Sequence, residues 1–241
     1  MMEKNHWFLF WRGIVACIPT LLGYWAIGFA CGAIGAVSGF TIWQIFCLSA
    51  FVYAGSAQFL FYSMASTGAG LVQIALGVLF INMRYLLINT YMAQFFSHTN
   101  LVEKLIGGFL MTDETFGVAS QYARQHNHIL PFSWLLGLNV TAWLNWIFAT
   151  LVGGLFATSL PDWLKDSLSF SLVGMFIGLL LLGWYASQTK KIDIVVIIVA
   201  MAIVTFSKGL IAANPSSIVA TMIAATVGMF LLLRTGTREK L

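Results

Sequence analysis

The sequence predicts an all-α bundle of membrane-spanning helices, about eight of them, forming a single transmembrane transporter domain over residues 1–241. Three observations predict it. Of the 241 residues 60% are hydrophobic and only 8% charged, whereas a soluble domain is about a quarter charged. The apolar residues fall in long runs, and a helix of roughly 20 residues is what a hydrocarbon core of about 30 Å requires. The basic residues flank these runs instead of clustering on one face, so the net charge of +4 reflects orientation in a lipid bilayer and not nucleic acid.

The runs lie near 13–37, 41–66, 70–96, 129–157, 168–188, 192–212 and 215–234. The first follows Lys4 and Arg12 and continues for about 25 residues without a convincing cleavage site, which reads as a retained helix and not a secretory signal. Pro19 and Gly23 are expected to interrupt it. Gly28-x-x-x-Gly32 and Gly35-x-x-x-Gly39 give it small residues for close packing, and that glycine-rich face is a candidate for docking a partner helix. The second run is interrupted by "YAGSAQF", 53–59, and the third holds Arg84 in "FINMRYLLIN".

The doubtful element is "KLIGGFLMTDETFGVASQYA", 104–123, with Asp113 and Glu114 at its centre and Gly107, Gly108 and Gly117 weakening a continuous helix. Lys and Arg accumulate in short cytoplasmic loops. If this segment spans and the N-terminus is cytoplasmic, Lys4, Arg12, Arg124, Lys190, Lys191, Arg234, Arg238 and Lys240 lie inside, against Lys104 and Lys165 outside. If it does not span, Lys190, Lys191 and the tail move outside. The expectation is therefore eight spans with both termini cytoplasmic. Seven spans plus a broken or re-entrant fourth segment is the other form left open.

Arg84, Asp113 and Glu114 fall at similar depth, near the centres of the third and fourth spans. A lone charge at the bilayer centre costs at least about 2.5 kcal/mol, so such groups face a bundle interior and find partners. If Arg84 pairs with one carboxylate, the other lacks a basic partner at that depth, because Lys208 lies toward the end of its span and can snorkel. A partly buried, unpaired carboxylate can bind a proton reversibly, which is the chemistry of a proton-coupled transporter. The plainer alternative is a static Arg84–Asp113 pair that fixes helix register, with Glu114 facing a wet cavity. Interrupted helices also expose backbone groups to substrates and ions. Pro19, Ser56, Gln58 and Asn82 therefore join the three charged residues as candidates for a substrate or proton pathway. Asn139, Trp143 and Asn145 add polar and aromatic groups in the second half.

Other chemistry finds no support in the sequence. Cys17, Cys31 and Cys47 sit in apolar runs, where Cys behaves as a small hydrophobe and no disulfide is expected. His126 and His128 lie in a polar loop without nearby Cys or acidic ligands, which argues against a metal site. Nucleotide, metalloprotease and serine hydrolase motifs are absent, so no enzyme activity and no cofactor are expected.

"FVYAGSAQF", "NMRYLL", "MTDETFGVA" and "SFSLVGMFIGLLL" after "LPDWLKDSL", in that order, resemble the AzlC family, the large subunit of bacterial branched-chain amino acid exporters. The likeness runs from about residue 12 to the C-terminus. It implies a multi-pass protein of the bacterial cytoplasmic (inner) membrane. It also implies pairing with a small AzlD-type membrane subunit and export of leucine, isoleucine, valine and often methionine, with protons as the expected coupling ion. One departure is Tyr85, where the family commonly has His after the motif arginine. In this frame Asp113 or Glu114 would meet the substrate ammonium, and Arg84 or the N–H groups of a broken helix would meet its carboxylate. Phe51, Phe59, Phe80 and Met83 are the residues expected to form an apolar recess. The alternative from another class is a non-transporting membrane scaffold or assembly subunit.

Overall fold

The computed structural model describes residues 6–96, 99–159, 161, scattered positions between 174 and 187, 189–207 and 213–234. Among them there is no strand, and three helices are long and apolar enough to cross a membrane: His6–Val37, Leu71–Phe96 and Phe132–Phe156. The protein is a helical membrane protein. Two compact units, Met1–Val173 and Gly174–Leu241, divide the chain.

In the first unit α1 is His6–Val37. Helix α2, Ile42–Cys47, widens into a π turn at Leu48–Val52, and α3 follows as Gly55–Ser66. Next come α4, Leu71–Ala93, then α5, Leu101–Phe109, and α6, Asp113–Gln125. Helix α7, Phe132–Phe156, closes the unit. The second unit contains α8, Lys190–Phe206, and α9, Ala213–Arg234, packed so closely that a Cβ added at Gly228 would stand 2.7 Å from Val196 Cγ2. These two match the last two apolar runs. The run at 168–188 lies outside the described residues except for scattered helical positions from 174 to 185, as do Lys4, Lys165, Lys208, Arg238 and Lys240.

Helices α1 and α7 form the backbone-to-backbone spine of the first unit. A methyl added at Gly13 would overlap the Trp134 carbonyl, at Gly32 the Thr150 carbonyl, at Gly137 the Phe10 carbonyl and at Gly153 the Phe29 carbonyl. Only glycine permits this approach, and in lipid such van der Waals contact is what holds helices together, since lipid tails are as apolar as leucine. The contacts climb both helices in step, from Phe10 against Gly137 to Phe29 against Gly153, so α1 and α7 run parallel. Gly28, Gly32 and Gly35 thus pack closely as expected, but Gly28 and Gly32 do so within the chain, on Ala149 and Thr150, whereas Gly39 lies past the end of α1 at φ 89° with nothing against it.

Pro19 does not interrupt α1, which runs unbroken through it. Proline removes one donor, but α7 clasps α1 on both sides of it, at Gly13 and at Gly28 and Gly32, and holds its course. The second and fourth segments do break. The first break is Tyr53, left-handed at φ 44°, ψ 45°, followed by extended Ala54. The second lies between Phe109 and Asp113, after the Gly107–Gly108 pair.

Candidate functional site

A helix interrupted in lipid leaves carbonyls at one stump and N–H groups at the other, with no water to satisfy them. At both breaks side chains take some of the freed carbonyls. Asn139 Nδ2 donates to Gly107 O at 3.2 Å, and Asn89 Nδ2 to Gly108 O at 3.4 Å. Trp143 Nε1 donates to Ala50 O at 3.1 Å, beside the first break. Trp146 Nε1 donates to Gln58 Oε1 at 2.8 Å, and Gln58 Nε2 donates to Ser49 Oγ at 3.0 Å, which in turn meets Thr150 Oγ1 at 2.8 Å. Residues 139, 143 and 146 share one helical face, so a single stripe of α7 supports both breaks.

The N-terminal stumps differ. Thr112 caps α6 by accepting the Thr115 N–H at 3.3 Å, while Thr115 Oγ1 accepts the Thr112 N–H at 2.9 Å. Helix α3 begins after Ala54 with no side-chain cap, and a helix N-terminus of this kind favours negative charge.

Arg84, from the middle of α4, ties the two stumps together. Its Nη2 lies 3.0 Å from Asp113 Oδ2, at the first position of α6, and donates to Ser56 Oγ at 2.7 Å in the first turn of α3. It also reaches Tyr85 Oη at 3.4 Å, and the guanidinium lies 5.1 Å from the Tyr85 ring centroid. Arg84 Nε is buried without a hydrogen-bond partner, as is Asn82 Oδ1 nearby in α4. The Arg84 and Asp113 side chains are 26% and 20% exposed, so the pair is only partly buried.

A second polar group adjoins this centre. The Tyr24 hydroxyl, from α1, donates to Glu114 Oε2 at 3.1 Å and contacts Thr112 Oγ1. Tyr53, at the first break, is buried against Tyr24 and within electrostatic reach of Glu114, and its hydroxyl makes no hydrogen bond of normal length and angle. Trp146 stands edge-on to the Tyr24 ring, with centroids 6.0 Å apart.

Of the residues singled out in the sequence, Arg84, Asp113 and Ser56 meet directly, and Glu114 follows Asp113 with partners of its own. The hydrogen bonds of Gln58 run to Trp146 and Ser49, and Pro19 stays within continuous α1. Among the residues expected to form an apolar recess, Phe59 is in the core, whereas Phe51, Phe80 and Met83 stand exposed. Sequence reasoning missed Tyr24, Tyr53 and Thr112. Thr112 was readable as a helix cap from "TDET", with acidic residues in the following turn, but nothing in an apolar run marks which tyrosine turns inward.

A family model described as AzlC protein matches residues 19–160, more than half of the chain. An inner membrane protein, YgaZ, of Escherichia coli is 24% identical over 184 residues, 75% of each chain. A membrane protein of Archaeoglobus fulgidus is 26% identical over 175 residues, 72% of this chain and 75% of its own. One of Helicobacter pylori strain 26695 is 25% identical over 189 residues, 77% of this chain and 82% of its own. No solved structure matches.

Proposed function

The chain belongs to the AzlC family, membrane proteins linked to amino acid efflux, and from that premise we propose that it is a secondary transporter exporting branched-chain amino acids. In this reading it is a multi-pass protein of the bacterial inner membrane that works with a small AzlD-type membrane subunit and draws on the proton gradient.

The observation that carries the reading is the Arg84 centre, where one arginine joins the N-terminal stumps of two broken helices through Ser56 and Asp113. A zwitterion needs donors for its carboxylate and an anion for its ammonium. The uncapped start of α3 and the unpartnered edge of Arg84 supply the first, and the two adjacent carboxylates of α6 supply the second. Broken helices of this kind place such groups at membrane depth without exposing backbone to lipid.

The parallel course of α1 and α7 supports the eight-span topology. A chain returns to the same direction only after an odd number of intervening crossings, and in the eight-span reading α2 with α3, α4, and α5 with α6 are those three. In this reading the fourth segment crosses as a broken helix, and the distribution of Lys and Arg along the chain puts the termini in the cytoplasm.

The test is counterflow of labelled leucine in proteoliposomes containing the chain with and without its small subunit. Accelerated exchange that needs both chains is expected. Absence of exchange for every branched-chain amino acid, with both chains present and folded, overturns the reading in favour of a scaffold.

A further inference from the structure

Asp113 and Glu114 are neighbours in sequence but unequal in place. Asp113 is engaged by Arg84 at 3.0 Å. The one hydrogen bond made by the Glu114 side chain among the described residues comes from a neutral group, the Tyr24 hydroxyl at 3.1 Å. The Tyr53 hydroxyl, on a residue only 4% exposed, stands against Tyr24 and within electrostatic reach of Glu114, and it makes no hydrogen bond of normal length and angle. A buried hydroxyl left unpaired costs about 1–3 kcal/mol, which a bound donor would relieve. The titratable groups around Glu114 are Tyr24 from α1, Tyr53 from the first break, Tyr85 from α4 and Asp113 from α6; one step further out, Arg84 faces Asp113 and Tyr85, and Cys17 faces Tyr53. The only cation among them is already held by Asp113.

On the exporter reading, on which this rests, we propose that Glu114 with the hydroxyl oxygens of Tyr24 and Tyr53 forms the subsite for the ammonium group of the exported amino acid, and that the same carboxylate carries the returning proton. An ammonium has three donors and no acceptor. The carboxylate and two phenol oxygens, contributed by three different elements, match that demand. Asp113, held by Arg84, then serves to fix the stumps of α3 and α6, and the unpartnered edge of Arg84 is left for the substrate carboxylate. A single carboxylate cannot hold an ammonium ion and a proton together, so the two occupants exclude each other. The amino acid leaves with its ammonium intact, a proton then binds the vacated Glu114 oxygen from outside, and that proton is released to the cytoplasm when the next ammonium displaces it. Outward substrate and inward proton are thereby exchanged through one group.

The experiment measures binding of labelled leucine to the full chain with its small subunit in lipid nanodiscs, from mildly acidic to mildly basic buffer. Isoamylamine, which keeps only the ammonium, and isocaproate, which keeps only the carboxylate, serve as competitors. For the native protein, leucine binding should weaken as pH falls and both competitors should displace it. In Glu114→Gln leucine should bind about tenfold or more weakly, with no pH response and no displacement by isoamylamine, while isocaproate still competes. Tyr53→Phe should weaken leucine severalfold and keep the pH response, and Glu114→Asp should do the same if Glu114→Gln does not fold. Native affinity and native pH response in Glu114→Gln, or loss of both in Asp113→Asn alone, would overturn the assignment and leave the exporter reading standing. If the native protein binds no branched-chain amino acid, both fall.

Discussion

Removing either member of the Arg84–Asp113 pair should have unequal consequences, and the inequality can be worked from the site. Breaking a buried ion pair by deleting one partner costs about 3–5 kcal/mol, because the survivor is left as an uncompensated charge. Here the side chains are 26% and 20% exposed, so part of that cost is relieved by solvent screening. In Arg84→Gln the surviving carboxylates can accept a proton, and the net loss should be about 1–2 kcal/mol. In Asp113→Asn the surviving guanidinium cannot neutralise, and it also keeps its hold on Ser56, so the loss should be larger, about 2–4 kcal/mol. The double variant should recover part of the stability, giving a coupling energy of about 1–3 kcal/mol. The assay is reversible unfolding in mixed micelles for the native protein, both single variants and the double variant, with leucine efflux measured in parallel. Efflux should fail in Arg84→Gln and in the double variant, where stability returns without function. A coupling energy within about 0.5 kcal/mol of zero, or native efflux in both single variants, would refute the reasoning.

The other predictions concern packing and topology. Gly32→Ala drives a methyl into the Thr150 carbonyl and should destabilise by about 1–3 kcal/mol whether or not the small subunit is present, measured by thermal unfolding with and without it. Asn139→Leu removes the donor to Gly107 O and strands that carbonyl in an apolar bundle, at a cost of about 1–3 kcal/mol by the same measurement. Pro19→Ala restores a helical donor in an already continuous α1, so stability should not fall and efflux should stay native; loss of efflux would place Pro19 in the pathway after all. Reporters fused after Arg124 and after Leu241 should both read as cytoplasmic, and an external reading at either would sink the eight-span topology.

What the sequence determined by itself followed from composition and order along the chain. A polypeptide with 8% charged residues, in apolar runs of about 20 residues, has no solvent other than lipid in which to fold, and in lipid runs of that length satisfy their backbone as helices, not as the shorter strands of a closed barrel. The same logic marked Arg84, Asp113 and Glu114, because charges at that depth are too costly to lack a role, and it marked the weak fourth helix through its glycines. The four ordered motifs placed the chain in its family. Other properties depend on which residues meet across the bundle, and a linear pattern cannot hold them. Helical periodicity names a face but not its neighbour, so the glycines of α1 read equally well as a docking surface until α7 is seen lying parallel along them. Proline lowers the preference for helix by an amount that neighbouring contacts can outweigh, which is why Pro19 passes unnoticed through α1 while Tyr53, an ordinary residue, sits at a left-handed break. Asp113 and Glu114 are adjacent and chemically alike; only tertiary structure, by setting Arg84 against one and Tyr24 against the other, makes them different groups.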